Sequence, residues 1–219
     1  MKESKDPRKT FGEAVTEAAG KNTNVIVLSA DSSSGSGLKS FPGKFPDRHF
    51  EFGIMEQGVM GFASGLATTG KIPVFAAIAP FVTARPFEMF RNDLGYMEQN
   101  VKVVGRCSGL TYDQLGATHH SIDDVAIIRT IPGVTILNPG DPVTIKKAVH
   151  AMIEHYGPCY LKIGSPKMPV LYPEDTDFRI GKGIVMQEGH DVALIGTGTV
   201  LSKAVEAARL LQQKGISVR

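Results

Sequence analysis

Glu56 has the clearest chemical prospect in this chain. It stands in HFEFGIMEQGVMGFASGLATTG (residues 49–70), where a short alternating run, His49 to Ile54, gives way to a segment rich in Gly and Ala. That pattern predicts a strand over 49–54 and a helix over 56–69, with a carboxylate at their junction. Such a carboxylate lies at the carboxyl edge of a sheet and near the positive end of a helix. Phe52, Ile54, Met55 and Met60 around it are apolar. Partial desolvation is therefore expected, and a desolvated carboxyl group can share a proton with a ring nitrogen. Asp31, Phe81, Cys107 and His119 also fall just after predicted strands. An aromatic face can pack on a planar heterocycle, and a neutral imidazole can relay protons.

The elements that must position these residues alternate along the chain. FGEAVTEAAG (11–20) has helical spacing with Gly20 as its stop. NVIVLSAD (24–31) is a near-continuous apolar run, as in a strand buried on both faces of a parallel sheet. Further strands are predicted at 71–80, 101–109, 134–139 and 158–164, with helices over RPFEMFRNDLGYM and SIDDVAIIRTI. Asp141 caps another helix, with Pro142 at its first position. The fold class is α/β: an open, mainly parallel sheet with helices on both faces. Residues 166–189, rich in Pro and charge, read as a linker. Residues 190–219 supply a strand, a helix and the start of another strand, an incomplete βαβ unit, so the chain is expected to stop inside a second domain. GTGTVL there reads as a tight strand-to-helix turn.

Composition narrows the function classes. The 219 residues are 42% hydrophobic and 21% charged, ordinary values for a globular chain. A net charge of +2 offers no nucleic-acid or membrane surface. No apolar run of transmembrane length occurs, and MKESKDPRKT lacks the apolar core of a secretory signal. Cys107 and Cys159 have neither metal nor redox spacing and fit buried thiols in a reducing cytoplasm.

The phrases FGEAVTEAA, VIVLSAD, FPDRHFEFGIMEQ, GATHHSIDDVAIIRTIPG and GHDVALIGTGT together resemble the C-terminal subunit of a split transketolase, a thiamine-diphosphate-dependent enzyme. The resemblance covers nearly the whole chain. It implies a pyrimidine-binding domain over residues 1–165 and the beginning of the transketolase C-terminal domain over 190–219. It implies that Glu56 hydrogen-bonds a ring nitrogen of the aminopyrimidine and favours its imino tautomer. Phe81 matches the aromatic residue that stacks on that ring, with Phe87 as a competing candidate and Ile54 as a further contact. Arg85 and Arg91 read as surface or ion-pair residues. The GATH match directs His119 at the substrate, with Arg8, Ser34 and Lys167 as further substrate ligands.

The same resemblance implies what must come from elsewhere. No GDG followed by an Asn at the family's interval is present, so Mg²⁺ or Ca²⁺ and the diphosphate are expected on an N-terminal transketolase subunit. The expected assembly is a homodimer or a heterotetramer, with the helix 56–69, Met55 and Met60 as interface. The expected reaction is transfer of a two-carbon ketol unit from a ketose to an aldose, on sugars or sugar phosphates. Several phosphate and substrate ligands of the family are missing: the chain has Gly35, Cys107, Leu115 and Ser165 where Ser, His, Asp and Arg are usual. Losing an Arg fork weakens phosphate binding. Alternatives are a 2-oxo acid dehydrogenase β subunit, a deoxyxylulose-phosphate synthase-like enzyme, or a non-catalytic docking module.

Overall fold

Residues 3–219 are described by a computed structural model. The strands are β1 (Ser4–Lys5), β2 (Val25–Ser29), β3 (His49–Glu51), β4 (Ile72–Ile78), β5 (Lys102–Arg106), β6 (Thr135–Leu137), β7 (Cys159–Lys162) and β8 (Met168–Pro169). The helices are α1 (Pro7–Lys21), α2 (Phe41–Lys44), α3 (Glu56–Ala67), α4 (Ala79–Val82), α5 (Phe87–Met89), α6 (Asp124–Ile128), α7 (Pro142–Glu154) and α8 (Leu201–Gln212). A six-stranded sheet runs in the order β3-β2-β4-β5-β7-β6, with every pairing parallel.

Alternation along the strands divides the core in two. On β4, Ile72, Val74 and Ala76 join one apolar cluster with Phe11 and Val15 of α1 and Ile145 and Val149 of α7. Phe75 and Ala77 point the other way, to Val59, Met60 and Ala63 of α3. Both faces are covered, which is why VIVLS and IPVFAAI need apolar residues at almost every position. The small residues of α3 let it lie close on the sheet. α1 begins earlier than its apolar spacing indicates, because Asp6 accepts from the Arg8 amide and Pro7 opens the first turn. Asp141 and Thr144 form a reciprocal capping box at the start of α7.

Several expected boundaries move for identifiable reasons. The strand at 49–54 ends at Glu51, whose carboxylate accepts from the Asp31 and Gly53 amides (2.7 and 2.9 Å), and Gly53 turns the chain at φ 70°. α3 ends at Ala67, and Gly70 at φ 81° reverses the chain into β4. RPFEMFRNDLGYM is not one regular helix: α5 passes into a π-helix over Phe90–Tyr96. SIDDVAIIRTI keeps only five helical residues. The expected linker starts with β8, which pairs antiparallel with β1, Met168 opposite Lys5. Near the C-terminus the expected strands reduce to one parallel bridge, Val192 to Val218, beside α8.

Candidate active site

The sheet order puts β3 and β4 on opposite sides of β2, so the crevice of this fold opens at the carboxyl ends of β2 and β4. The loop after β2 is drawn onto β4: the Ser32 and Ser36 hydroxyls both donate to the Ala76 carbonyl, at 2.7 and 3.2 Å. Asp31 and Cys107, which follow β2 and β5, have left-handed backbones (φ 52° and 54°). Non-glycine residues rarely adopt that form, and it recurs where side chains must be aimed.

Glu56 is the first residue of α3 and only 4% exposed. Its burial does not come from the neighbours expected to supply it: Met60 is buried and Phe52 half-buried, but Ile54 and Met55 point outward. Arg85 Nη1 donates to Glu56 Oε1 at 2.8 Å. The same guanidinium lies over the Phe81 ring, 3.9 Å from its centroid. Phe81 in turn meets the His119 ring edge-on at 5.1 Å, and Tyr112 meets that imidazole at 5.8 Å. Arg106 Nη1 donates to the Tyr112 hydroxyl at 3.0 Å and Nε to Ser36 Oγ at 3.0 Å. Burial, then the neighbouring Cys107, raises the Tyr112 phenol above its ordinary range. Thr118 Oγ1 and His119 Nδ1 are 2.9 Å apart. A continuous line of side chains thus runs across the carboxyl edge from Glu56 to Ser36.

Glu56, Phe81 and His119 therefore lie along one line of contacts. The other expected site residues do not join them. Ile54 is 75% exposed, and Phe87 packs against the α3-side core. Arg8 is held by Asp6, with Nη2 and Nε at 2.9 and 3.2 Å from its carboxylate. That fork lowers the Asp6 carboxyl and raises the Arg8 guanidinium from their ordinary values. Ser34 is exposed at a loop tip, and Lys167 is exposed with no ion pair among the described residues. Three further contributors are not among the residues expected from sequence. Arg85 reads there as a helix-surface cation, although its spacing of four from Phe81 is a usable signal. Arg106 is an Arg at the end of an apolar strand, and Tyr112 sits in a loop without periodicity. His120 Nε2 and Ser121 Oγ beside this line are buried without a hydrogen-bond partner. No three His, Cys, Asp or Glu side chains cluster to hold a metal among the described residues.

The pattern of the transketolase pyrimidine-binding domain matches residues 3–169, and that of the transketolase C-terminal domain matches 181–219. The chain belongs to the transketolase family. The first match begins and ends with the β1–β8 pair and contains Glu56, Phe81 and His119. A provisionally named transketolase C-terminal section of Methanocaldococcus jannaschii is 36% identical over 215 residues, covering 97% of this chain and 68% of that protein. An apulose-4-phosphate transketolase subunit of Phocaeicola vulgatus is 34% identical over 213 residues, with 97% and 68% covered. A solved structure of a split-gene transketolase, described as an inactive β4 tetramer, superposes with a TM-score of 0.90 at 36% identity, covering 98% of this chain and 70% of that one.

Transketolase membership implies thiamine diphosphate, and the residues at the carboxyl edge suit its pyrimidine. Glu56 and Phe81 together already hold a planar, nitrogen-bearing group, the Arg85 guanidinium, by one carboxylate hydrogen bond and one aromatic face. Those are the contacts an aminopyrimidine can accept.

Proposed function

We propose that this chain is the C-terminal half of a two-chain transketolase that moves a two-carbon ketol unit from a ketose to an aldose. The observation that carries this reading is the buried Glu56 carboxylate joined to the Phe81 face through the Arg85 guanidinium, with the His119 and Phe81 rings edge-on at 5.1 Å. Glu56 would hydrogen-bond a ring nitrogen of the aminopyrimidine and hold a proton there, and Phe81 would pack on the ring and fix its plane. Bound in this way, thiamine diphosphate supplies a nucleophilic carbon for ketol transfer. Thr118 holds His119 Nδ1, which leaves Nε2 to exchange a proton with a sugar hydroxyl.

The diphosphate and its Mg²⁺ or Ca²⁺ belong, in this reading, to an N-terminal subunit that would supply the GDG and Asn arrangement expected from the family resemblance. The surface next to Glu56 suits such a partner: Ile54 and Met55, just before it in the chain, are large, apolar and exposed, as are Phe50 and Phe62, whose rings lie 6.3 Å apart. Met60, expected in that interface from its sequence position, is instead fully buried in the chain's own core. A heterotetramer or a homodimer built on this face would exclude water from the carboxylate. The two free, buried thiols fit a cytoplasmic enzyme. Free sugars are the preferred substrates in this reading, because Arg8 is neutralised by Asp6 and Ser165 replaces an Arg fork.

Reconstitution with the diphosphate-binding subunit, thiamine diphosphate and Mg²⁺ tests the reading. Ketol transfer is expected, and Glu56→Gln should lower it by about 100-fold or more. An unchanged rate in Glu56→Gln would refute the role of the carboxylate. Matched free and phosphorylated sugars test the substrate preference, which fails if the phosphorylated ketose turns over equally well or better.

A further inference from the structure

Arg85 makes two contacts at once, and both belong to groups the cofactor reading needs. Its Nη1 lies 2.8 Å from Glu56 Oε1, and its guanidinium carbon lies 3.9 Å from the centre of the Phe81 ring. The guanidinium is planar, carries several N–H donors and stacks readily on aromatic faces. An aminopyrimidine is also planar, bears N–H donors and stacks. The two cannot occupy the same face of Phe81 and the same oxygen of Glu56 together. The partners differ in mobility: the Glu56 side chain is 5% exposed and begins a helix, whereas the Arg85 side chain is 38% exposed. Arg85 is therefore the member of the pair with room to leave.

We propose that Arg85 is a displaceable occupant of the pyrimidine subsite, a built-in mimic of the ring that positions Glu56 and Phe81 and competes with the ring for them. This rests on the cofactor reading above and deepens it. The consequence for selectivity is direct. A ligand displaces Arg85 only if it brings both a face for Phe81 and a nitrogen for Glu56, so a ring with one of these features binds poorly. The apparent affinity is the intrinsic affinity reduced by the fraction of chains in which Arg85 has already left. The ion pair also protects the chain, since a carboxylate this buried has no other cationic partner among the described residues.

The test uses the full chain and the neutral probe 4-amino-5-hydroxymethyl-2-methylpyrimidine, with dissociation constants read by ligand-observed NMR. Arg85→Met is expected to bind the probe about tenfold more tightly than wild type. Arg85→Lys should fall between them, because an ammonium keeps the charge without the planar face. Added salt should tighten binding to wild type by screening the pair, and should leave Arg85→Met unmoved. The salt effect is a readout that a merely structural arginine would not give. Circular dichroism checks that each variant is folded, and Arg85→Lys with the salt series carries the test if Arg85→Met is not. Binding that depends on Glu56 but is unchanged or weaker in the Arg85 variants, with no salt effect, would overturn the competition while leaving the cofactor reading intact. Binding that is equal in Glu56→Gln would overturn the cofactor reading itself, and binding absent from every variant, Arg85→Met included, would overturn the competition.

Discussion

The Tyr160 hydroxyl donates to Asp124 Oδ2 at 2.7 Å, and both residues are fully buried. Lys162 Nζ holds the other carboxylate oxygen at 2.7 Å, so β7 is bolted to the start of α6, just beyond the His119–His120 loop. Burial, reinforced by the Asp124 charge, pushes the Tyr160 phenol well above its ordinary range. Tyr160→Phe removes a buried charge-assisted bond and should cost about 1–3 kcal/mol, seen as a lower urea midpoint with an unchanged slope. A midpoint equal to that of wild type would show that Asp124 is satisfied by Lys162 alone.

Phe81→Ala should weaken thiamine diphosphate binding in the reconstituted enzyme by about three- to tenfold, the worth of an aromatic stack. Phe81 is only half-buried, so the melting temperature of the chain should fall much less than for a core Phe such as Phe75. Cofactor titration followed by circular dichroism or fluorescence reads the first effect. Unchanged affinity would assign the stacking role to another residue.

Ile54→Asp places a charge on the exposed apolar surface beside Glu56. Because Ile54 is 75% exposed, the stability of the isolated chain should stay within about 0.5 kcal/mol of wild type. Association with a second chain should weaken by about tenfold or more, as for a central interface residue. Sedimentation velocity across a concentration series decides this. Wild-type association in Ile54→Asp would place the interface on another face.

Glu17 pairs with Lys21 (2.9 Å) and, joining α1 to α7, with Lys146 (3.0 Å), and these two lysines lower its carboxyl to about 2. The folded value is thus depressed below the unfolded one. The contribution is present above about pH 4.5 and is lost as pH falls towards about 2. Glu17 is largely exposed to solvent, so salt screens the effect and it is small. Glu17→Gln should therefore flatten the melting-temperature profile between pH 4.5 and 2 relative to wild type, most visibly at low salt. Parallel profiles would show that the cluster adds nothing to stability.

Residue order along the chain is enough to specify the architecture: alternating apolar runs and helical segments, each with turn or cap residues, leave few options besides a parallel α/β sheet. It also marks Glu56, Phe81 and His119, because ends of buried strands are where such sheets put polar and aromatic side chains. Boundaries are less legible. Glu51 ends β3 through side-chain bonds to two amides, and the π-helix at Phe90–Tyr96 has no distinct periodic signature. Which cations are committed is settled only by folding. Asp6 takes Arg8, a local pairing that spacing leaves open, and Glu56 takes Arg85 across 29 positions of chain. Arg106 spans from Tyr112 to Ser36, and no linear pattern relates those three. Ion pairs and aromatic contacts form wherever the fold brings charges and faces within a few ångströms. Residue types and spacing therefore indicate the chemistry, and the folded carboxyl edge of the sheet determines which groups share it.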